Sequence, residues 1–253
     1  MELDLDGSVV LVTGGVRGVG AGITRAFLAA GAVVVTCARR PAEVPGASFV
    51  PCDVRDADQV AALVSSIVAR HGRLDAVVNN AGGAPFALAD QASPRFHEKV
   101  VELNLLAPLL VSQAAYAVMR DQEGGGSIVM VSSISGRRPS PGTAAYGAAK
   151  AGLENLTASL AVEWAPRVRV NALAVGLVRT EQSHLHYGDE AGIAAVARTV
   201  PLGRLASPDE VGACAVFLAS PLASYVTGAT LPVHGGGEMP AFLAAAQTDG
   251  GSS

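Results

Sequence analysis

The 253-residue sequence predicts an α/β domain built on a doubly wound parallel sheet of seven strands with helices on both faces. Three observations carry that reading. Short β-branched, apolar runs recur at 8–13, 32–37, 48–52, 74–79, 127–132, 168–173 and 229–233, and Ala/Leu-rich helical patterns separate nearly all of them. The runs are apolar on both faces rather than alternating, as strands covered on each side by helices are, and right-handed crossovers then connect them. A chain that is 50% hydrophobic and only 16% charged can bury one large core, and no repeat or Pro/Ser/Gly-rich linker divides it. The domain is expected over residues 1–246, and 247–253 (Gln-Thr-Asp-Gly-Gly-Ser-Ser) has the composition of a disordered tail.

The first run leads directly into Thr13-Gly14-Gly15-Val16-Arg17-Gly18-Val19-Gly20, after which 21–30 reads as a helix. Gly14, Gly18 and Gly20 let the backbone turn tightly and approach a pyrophosphate, which rests on amides at the positive end of the helix, Val19 among them. This Rossmann-type arrangement points to a dinucleotide, although the Gly-x-x-x-Gly-x-Gly spacing is not the general G-x-G-x-x-G fingerprint. The second run ends at Ala38-Arg39-Arg40, where an NAD-preferring site usually carries an acid for the ribose 2′-hydroxyl. Two guanidiniums can instead pair a 2′-phosphate, with Arg17 as a third cation, so NADP(H) is favoured and NAD(H) is the alternative. The competing reading makes Arg39 and Arg40 solvated loop charges before Pro41.

Asp53-Val54 follows the third run, and Asp53 either meets a ligand or caps the helix that starts near Asp56. Asn79-Asn80-Ala81-Gly82 ends the fourth. Asn104 interrupts an apolar helical run over 100–119, where its amide needs a polar network. Ser132, Ser133 and Ser135 close the fifth run, and spacing within the run does not choose among them. Only two lysines occur in the chain, and Lys150 lies four residues after Tyr146, one of four tyrosines. On a helix that spacing puts both on one face, where an ammonium would stabilise a phenolate and lower the tyrosine pKa from its free value of about 10.

Bulk properties narrow the function further. A net charge of −4 offers no field for a polyanion, so nucleic acid is not an expected partner. Met1-Glu2-Leu3-Asp4 has no basic flank or apolar stretch of a signal peptide, and the uncharged 211–237 stretch is broken by Pro221, Gly228 and Pro232. A cytoplasmic protein without a membrane partner is expected. Cys37, Cys52 and Cys214, odd in number and widely spaced, read as buried reduced thiols, and no metal site is expected from them. The His184-x-His186 pair has no third ligand nearby in sequence and reads as exposed or substrate-facing.

In order along the chain, these motifs resemble those of the classical short-chain dehydrogenase/reductase family, over about residues 7–235. Thr13-Gly14-x-x-x-Gly18-x-Gly20 is similar to the cofactor turn, Asp53-Val54 to the adenine-contacting pair, and Asn80-Ala81-Gly82 to the motif after strand four. Tyr146-x-x-x-Lys150 is similar to the family signature, the thirteen-residue spacing selects Ser133, and Asn104 falls on the helix asparagine of the tetrad. The resemblance implies hydride transfer between a nicotinamide and a ketone or secondary alcohol, with Tyr146 as general acid/base and Ser133 orienting the same oxygen. It implies that Lys150 tunes Tyr146 and binds the nicotinamide ribose, that Asn104 holds a water, and that Val178 and Thr180 hold the carboxamide. One departure is Asn171-x-x-x-Val175-Gly176, with valine where the family has proline, which bears on the rigidity of the loop against the nicotinamide.

By the same resemblance, 177–206 forms a substrate lid, apolar with a few polar groups (His184, His186, Tyr187), for a small-molecule carbonyl or alcohol substrate. A 3-oxoacyl thioester, a steroid and a cyclic alcohol all remain open; Arg137 and Arg138 either receive an acidic carrier or are surface charge. Family members usually assemble as homotetramers or dimers. The alternative from another class is a catalytically silent dinucleotide-binding redox sensor, which would have no need of a proton relay. An extended nucleotide-sugar epimerase is a second alternative, for which the chain is short.

Overall fold

In the computed structural model, which describes residues 5–245, the seven runs form one parallel sheet: β1 Val9–Thr13, β2 Val33–Ala38, β3 Ser48–Pro51, β4 Ala76–Asn79, β5 Gly126–Ser133, β6 Val168–Val175 and β7 Thr230–Val233. Their order across the sheet is β3-β2-β1-β4-β5-β6-β7, so the chain reverses direction of travel between β1 and β4. Ligands of such sheets bind beyond the carboxyl ends of the strands at that reversal. The 247–253 tail lies outside the described residues.

Strand periodicity divides the core into two layers. Val9 and Leu11 face one side with Val60, Leu63 and Ile67 of α2 (Ala57–His71), Val111 and Met119 of α4 (Ala107–Met119), and Leu153 and Trp164 of α5 (Ala144–Trp164). Val10 and Val12 face the other side with Ile23 and Phe27 of α1 (Gly18–Ala29) and Val211 and Ala215 of α8 (Pro208–Ala219). Between β4 and α4 the chain forms α3 (Pro94–Val101) and a π-helical turn, Glu102–Leu106. The 94–119 run is long enough to cross a membrane, and an 18-residue window within it has a mean hydropathy of 1.4. Its buried residues Val100, Ala107, Val111, Ala115 and Met119 nevertheless pack in the core. The uncharged 211–237 stretch resolves into α8, a 3-10 turn Pro221–Ala223 and β7. Two short helices, α6 (His184–Tyr187) and α7 (Glu190–Ala197), lie between β6 and α8, and α9 (Ala241–Ala245) follows β7.

Two sequence expectations are corrected. The first helix begins at Gly18, three residues before the predicted start, because its glycine-rich first turn is helical despite poor intrinsic propensity. The cap of α2 is Asp56, which accepts from the amides of Asp58 and Gln59, so Asp53 is not a cap. The cysteines are free thiols, as expected: Cys37 on β2 and Cys52 just after β3 are buried, and Cys214 is only half-buried. Hydrogen bonding with Cys52 and burial push the Cys37 thiol up.

Buried Asn171 on β6 explains its own presence. Its Nδ2 donates to the Val226 carbonyl at 2.8 Å and its Oδ1 accepts from the Ala229 amide at 3.0 Å, fixing the approach to β7. Asn171→Leu is expected to destabilise the fold by about 1–3 kcal/mol, since two half-buried backbone groups lose their partners. Urea unfolding measures this, and a loss under about 0.5 kcal/mol would contradict it.

Candidate functional site

The predicted residues converge at the carboxyl ends of β1 to β6. Thr13 closes β1, and its buried Oγ1 accepts from the amides of Asn80 and Ala81, each at 3.0 Å. The Asn80 Nδ2 donates to the carbonyls of Thr13 at 3.0 Å and Gly14 at 3.1 Å. The side chain of Asn80 therefore ties the glycine-rich turn to the end of β4, and the Thr13 hydroxyl, first residue of the turn motif, has a site-building role that the motif alone did not reveal. A Cβ on Gly20 would lie 2.2 Å from the Gly14 carbonyl oxygen, so only glycine lets helix and turn close in this way. Gly18, at φ +52°, starts the helix, and no side chain of α1 caps its end. Amides at a helix start, with no capping bond from the Arg17 side chain and no acid in the first turn, suit an anionic diphosphate.

Beyond β2 and β3, Arg17, Arg39 and Arg40 are all exposed. Arg39 lies near enough to Asp53 to help depress its carboxyl, but the larger cause is hydrogen bonding from Arg55, whose guanidinium reaches Asp53 at 2.6 Å. Val54 is 6% exposed, so what it offers a ligand is its backbone. Val178 forms an isolated parallel bridge with Ala206, and Thr180 packs beside Gly18, 3.6 Å from where a Cβ there would sit.

Asn104, Ser133, Tyr146 and Lys150 come together around the end of β5. Asn104 is fully buried in the π-helical turn. Its Nδ2 donates to the carbonyls of Gly83 and Val100 at 2.9 and 2.8 Å, and its Oδ1 accepts from the Gly83 amide at 2.8 Å. One lone pair of Oδ1 is the polar capacity left to this amide. The Lys150 Nζ, on a side chain 3% exposed, donates to the Val131 carbonyl at 2.8 Å and lies 5.5 Å from the Tyr146 ring centre. A Cβ on Gly82 would stand 2.7 Å from the Asn104 Oδ1 and 3.5 Å from the Lys150 Nζ, so Gly82 makes this convergence possible.

Burial lowers the Lys150 pKa to about 8. Tyr146 departs from the expectation drawn from spacing: burial raises its pKa, and hydrogen bonding with Ser133 only partly opposes this. The i,i+4 relation does place the ammonium near the ring, but desolvation of the phenolate dominates in the ligand-free protein.

The structure also separates the three serines. Ser132 Oγ is buried and donates to the Lys150 carbonyl at 3.2 Å and to the Glu154 Oε1 at 3.0 Å. Ser133 caps the 3-10 turn Ile134–Gly136, accepting from the Ser135 amide at 3.2 Å, and interacts with Tyr146. Glu154 accepts in addition from Arg137 Nε at 2.8 Å, so one carboxylate clamps both ends of the Ser133 segment to the helix carrying Tyr146 and Lys150. Sequence reading missed Glu154; its position one turn after Lys150 was the available signal. Arg138 pairs with Glu238 at 2.7 Å. Neither arginine is thus an uncompensated cation.

Val175, the departure from the family pattern, is the last residue of β6 and pairs with Ser133 on one side and Val233 on the other. It is 7% exposed, so the ladder and the core fix the base of the following loop where a proline ring is absent.

A family model described as enoyl-(acyl carrier protein) reductase matches residues 14–238. The chain is a short-chain dehydrogenase/reductase. It is 39% identical over 246 residues to L-fucose dehydrogenase of Oryctolagus cuniculus, covering 92% of this chain and 86% of the relative. With D-threitol dehydrogenase of Mycolicibacterium smegmatis it shares 37% identity over 247 residues, 93% of this chain and 94% of that one. The ligand-free aldohexose dehydrogenase of Thermoplasma acidophilum superposes with a TM-score of 0.88 at 28% identity, covering 99% and 98% of the two chains. As a member of this family the protein is an NAD(P)-dependent oxidoreductase of alcohol and carbonyl groups on small molecules. The sensor alternative finds no support among these relatives.

Proposed function

We propose that this enzyme interconverts a secondary alcohol and the matching ketone on a small polyhydroxylated substrate, a sugar or polyol, with NADP(H) favoured. The observation that carries the chemistry is the contact of Ser133 with Tyr146 above a buried, unusually acidic Lys150. The nicotinamide, when bound, supplies or accepts the hydride. In the reductive direction Tyr146 gives its phenolic proton to the substrate oxygen as negative charge develops there, and Ser133 donates a hydrogen bond that orients the same oxygen. In the oxidative direction Tyr146 takes the hydroxyl proton. The ammonium of Lys150 favours the phenolate and offers donors to the nicotinamide ribose, and a water on the remaining lone pair of Asn104 Oδ1 would pass protons from Lys150 to solvent. Gly14, Gly18, Val19 and Gly20 hold the diphosphate, Asp53, Val54, Asn80, Ala81 and Gly82 line the adenosine and ribose positions, and Val178 and Thr180 meet the carboxamide.

The polyol preference draws on the names of the relatives, which act on fucose, threitol and aldohexose, and on Arg137 and Arg138, whose internal ion pairs leave an acidic carrier without a landing site. The 177–206 segment serves as the substrate lid. A homo-oligomer in the cytoplasm completes the reading, with exposed Val162 and Tyr225 as apolar surface that a partner protomer would cover.

A panel of polyols, aldoses and 3-oxoacyl thioesters, followed by reduced-nicotinamide absorbance, tests the assignment. Turnover confined to thioesters would overturn the substrate class, and turnover with none would revive the sensor. Arg39→Asp is expected to raise KM for NADP(H) about tenfold or more while sparing NAD(H), as loss of a phosphate-paired guanidinium requires. A clear wild-type preference for NADH would refute the 2′-phosphate assignment.

A further inference from the structure

The start of α1 is already occupied by an anion from another part of the chain. Glu181, 163 residues further on, accepts a hydrogen bond from the Gly18 amide through Oε1 at 3.1 Å. Nothing in α1 supplies a carboxylate there: Arg17, the residue before the helix, makes no capping bond, and the first turn has no acid. A carboxylate at this end of a helix gains from the dipole and from a charge-assisted hydrogen bond.

Glu181 does not arrive there on a wandering strand of chain. Arg179 N donates to the Ala206 carbonyl at 2.8 Å, and Ala206 N donates to the Leu177 carbonyl at 3.0 Å. Thr180 N donates to the Oγ of Ser183 at 2.9 Å, and Ser183 is 3% exposed. The turn that carries Glu181 is therefore fixed at the base of the 177–206 segment, and only the side chain has freedom. It also has somewhere to go, because Glu181 lines an open cleft of about 560 Å³ between this segment and the start of α8, with Arg179 and Arg204 among its other walls.

We propose that Glu181 sets the dinucleotide affinity of this enzyme as an internal competitor: its carboxylate holds the diphosphate amide in the free protein and swings into the cleft when cofactor binds. The inference rests on reading the glycine-rich turn as the cofactor site. A carboxylate and a diphosphate cannot share one amide, and each would repel the other at that distance. Every binding event thus breaks the Gly18–Glu181 contact, and every release restores it, which weakens the complex and speeds departure of the spent dinucleotide.

The test is calorimetric titration of wild type, Glu181→Gln and Glu181→Ala with ADP-ribose, which carries the diphosphate, and with adenosine, which does not. Both variants should bind ADP-ribose about three- to tenfold more tightly, the worth of one carboxylate at a helix end, with a slower dissociation rate in stopped flow. Adenosine affinity should stay unchanged. Equal or weaker ADP-ribose binding by the variants, or a parallel gain for adenosine, would overturn the proposal. Failure of the wild type to bind ADP-ribose or either dinucleotide would instead overturn the cofactor site itself.

Discussion

Tyr146→Phe is expected to lower turnover by about 10²–10⁴-fold in both directions while dinucleotide affinity changes little. Phenylalanine keeps the ring whose centre lies 5.5 Å from the Lys150 Nζ, so the packing against Lys150 survives and only the transferable proton is lost. Dependence on pH gives a second reading of the same group. Burial disfavours the Tyr146 phenolate, so wild-type alcohol oxidation should rise with pH as that proton becomes easier to remove, and carbonyl reduction should fall. The variant's residual rate should lose this dependence. Near wild-type activity on a good substrate would place proton transfer elsewhere.

Lys150→Met is expected to separate stability from activity. Turnover should fall about a hundredfold or more, because the phenolate loses its nearest cation. Stability should move the other way at neutral pH. A lysine whose folded pKa, about 8, lies below its unfolded value of 10.5 opposes folding wherever it is protonated. That penalty, on the order of 3 kcal/mol, is complete below pH 8 and fades as pH rises toward 10.5. The bond to the Val131 carbonyl, which methionine cannot make, offsets about 1–3 kcal/mol of the gain. Wild type should therefore gain stability relative to Lys150→Met between pH 8 and pH 10 in urea unfolding, within the window set by the shift. A relative loss over that window would mean that the fold stabilises the ammonium by contacts beyond Val131.

Much of the architecture was legible because its signals are local. β-branched runs marked all seven strands, and strand termini differed from expectation by two residues or fewer. The first helix was placed three residues late since propensity argues against a glycine-rich first turn, whereas packing and the neighbouring Asn80 side chain hold it. Asp56 rather than Asp53 capping α2 follows from where the chain turns, which residue type does not reveal. The choice of Ser133 as the candidate serine was legible only through family spacing; in the structure the Ser132 hydroxyl is already engaged by the Lys150 carbonyl and Glu154.

The sequence by itself determined the sheet, the order of the motifs and the presence of a tyrosine, a lysine, a serine and an asparagine suited to proton transfer, since these depend on residue chemistry and short-range periodicity. The tertiary structure alone decided the sign of the Tyr146 shift, the acidity of Lys150, the pairing of Arg137 with Glu154 and of Arg138 with Glu238, and the hold of Glu181 on Gly18. Those outcomes turn on how much water each charge loses and which distant group replaces it, and both are properties of position in space rather than of position in the chain.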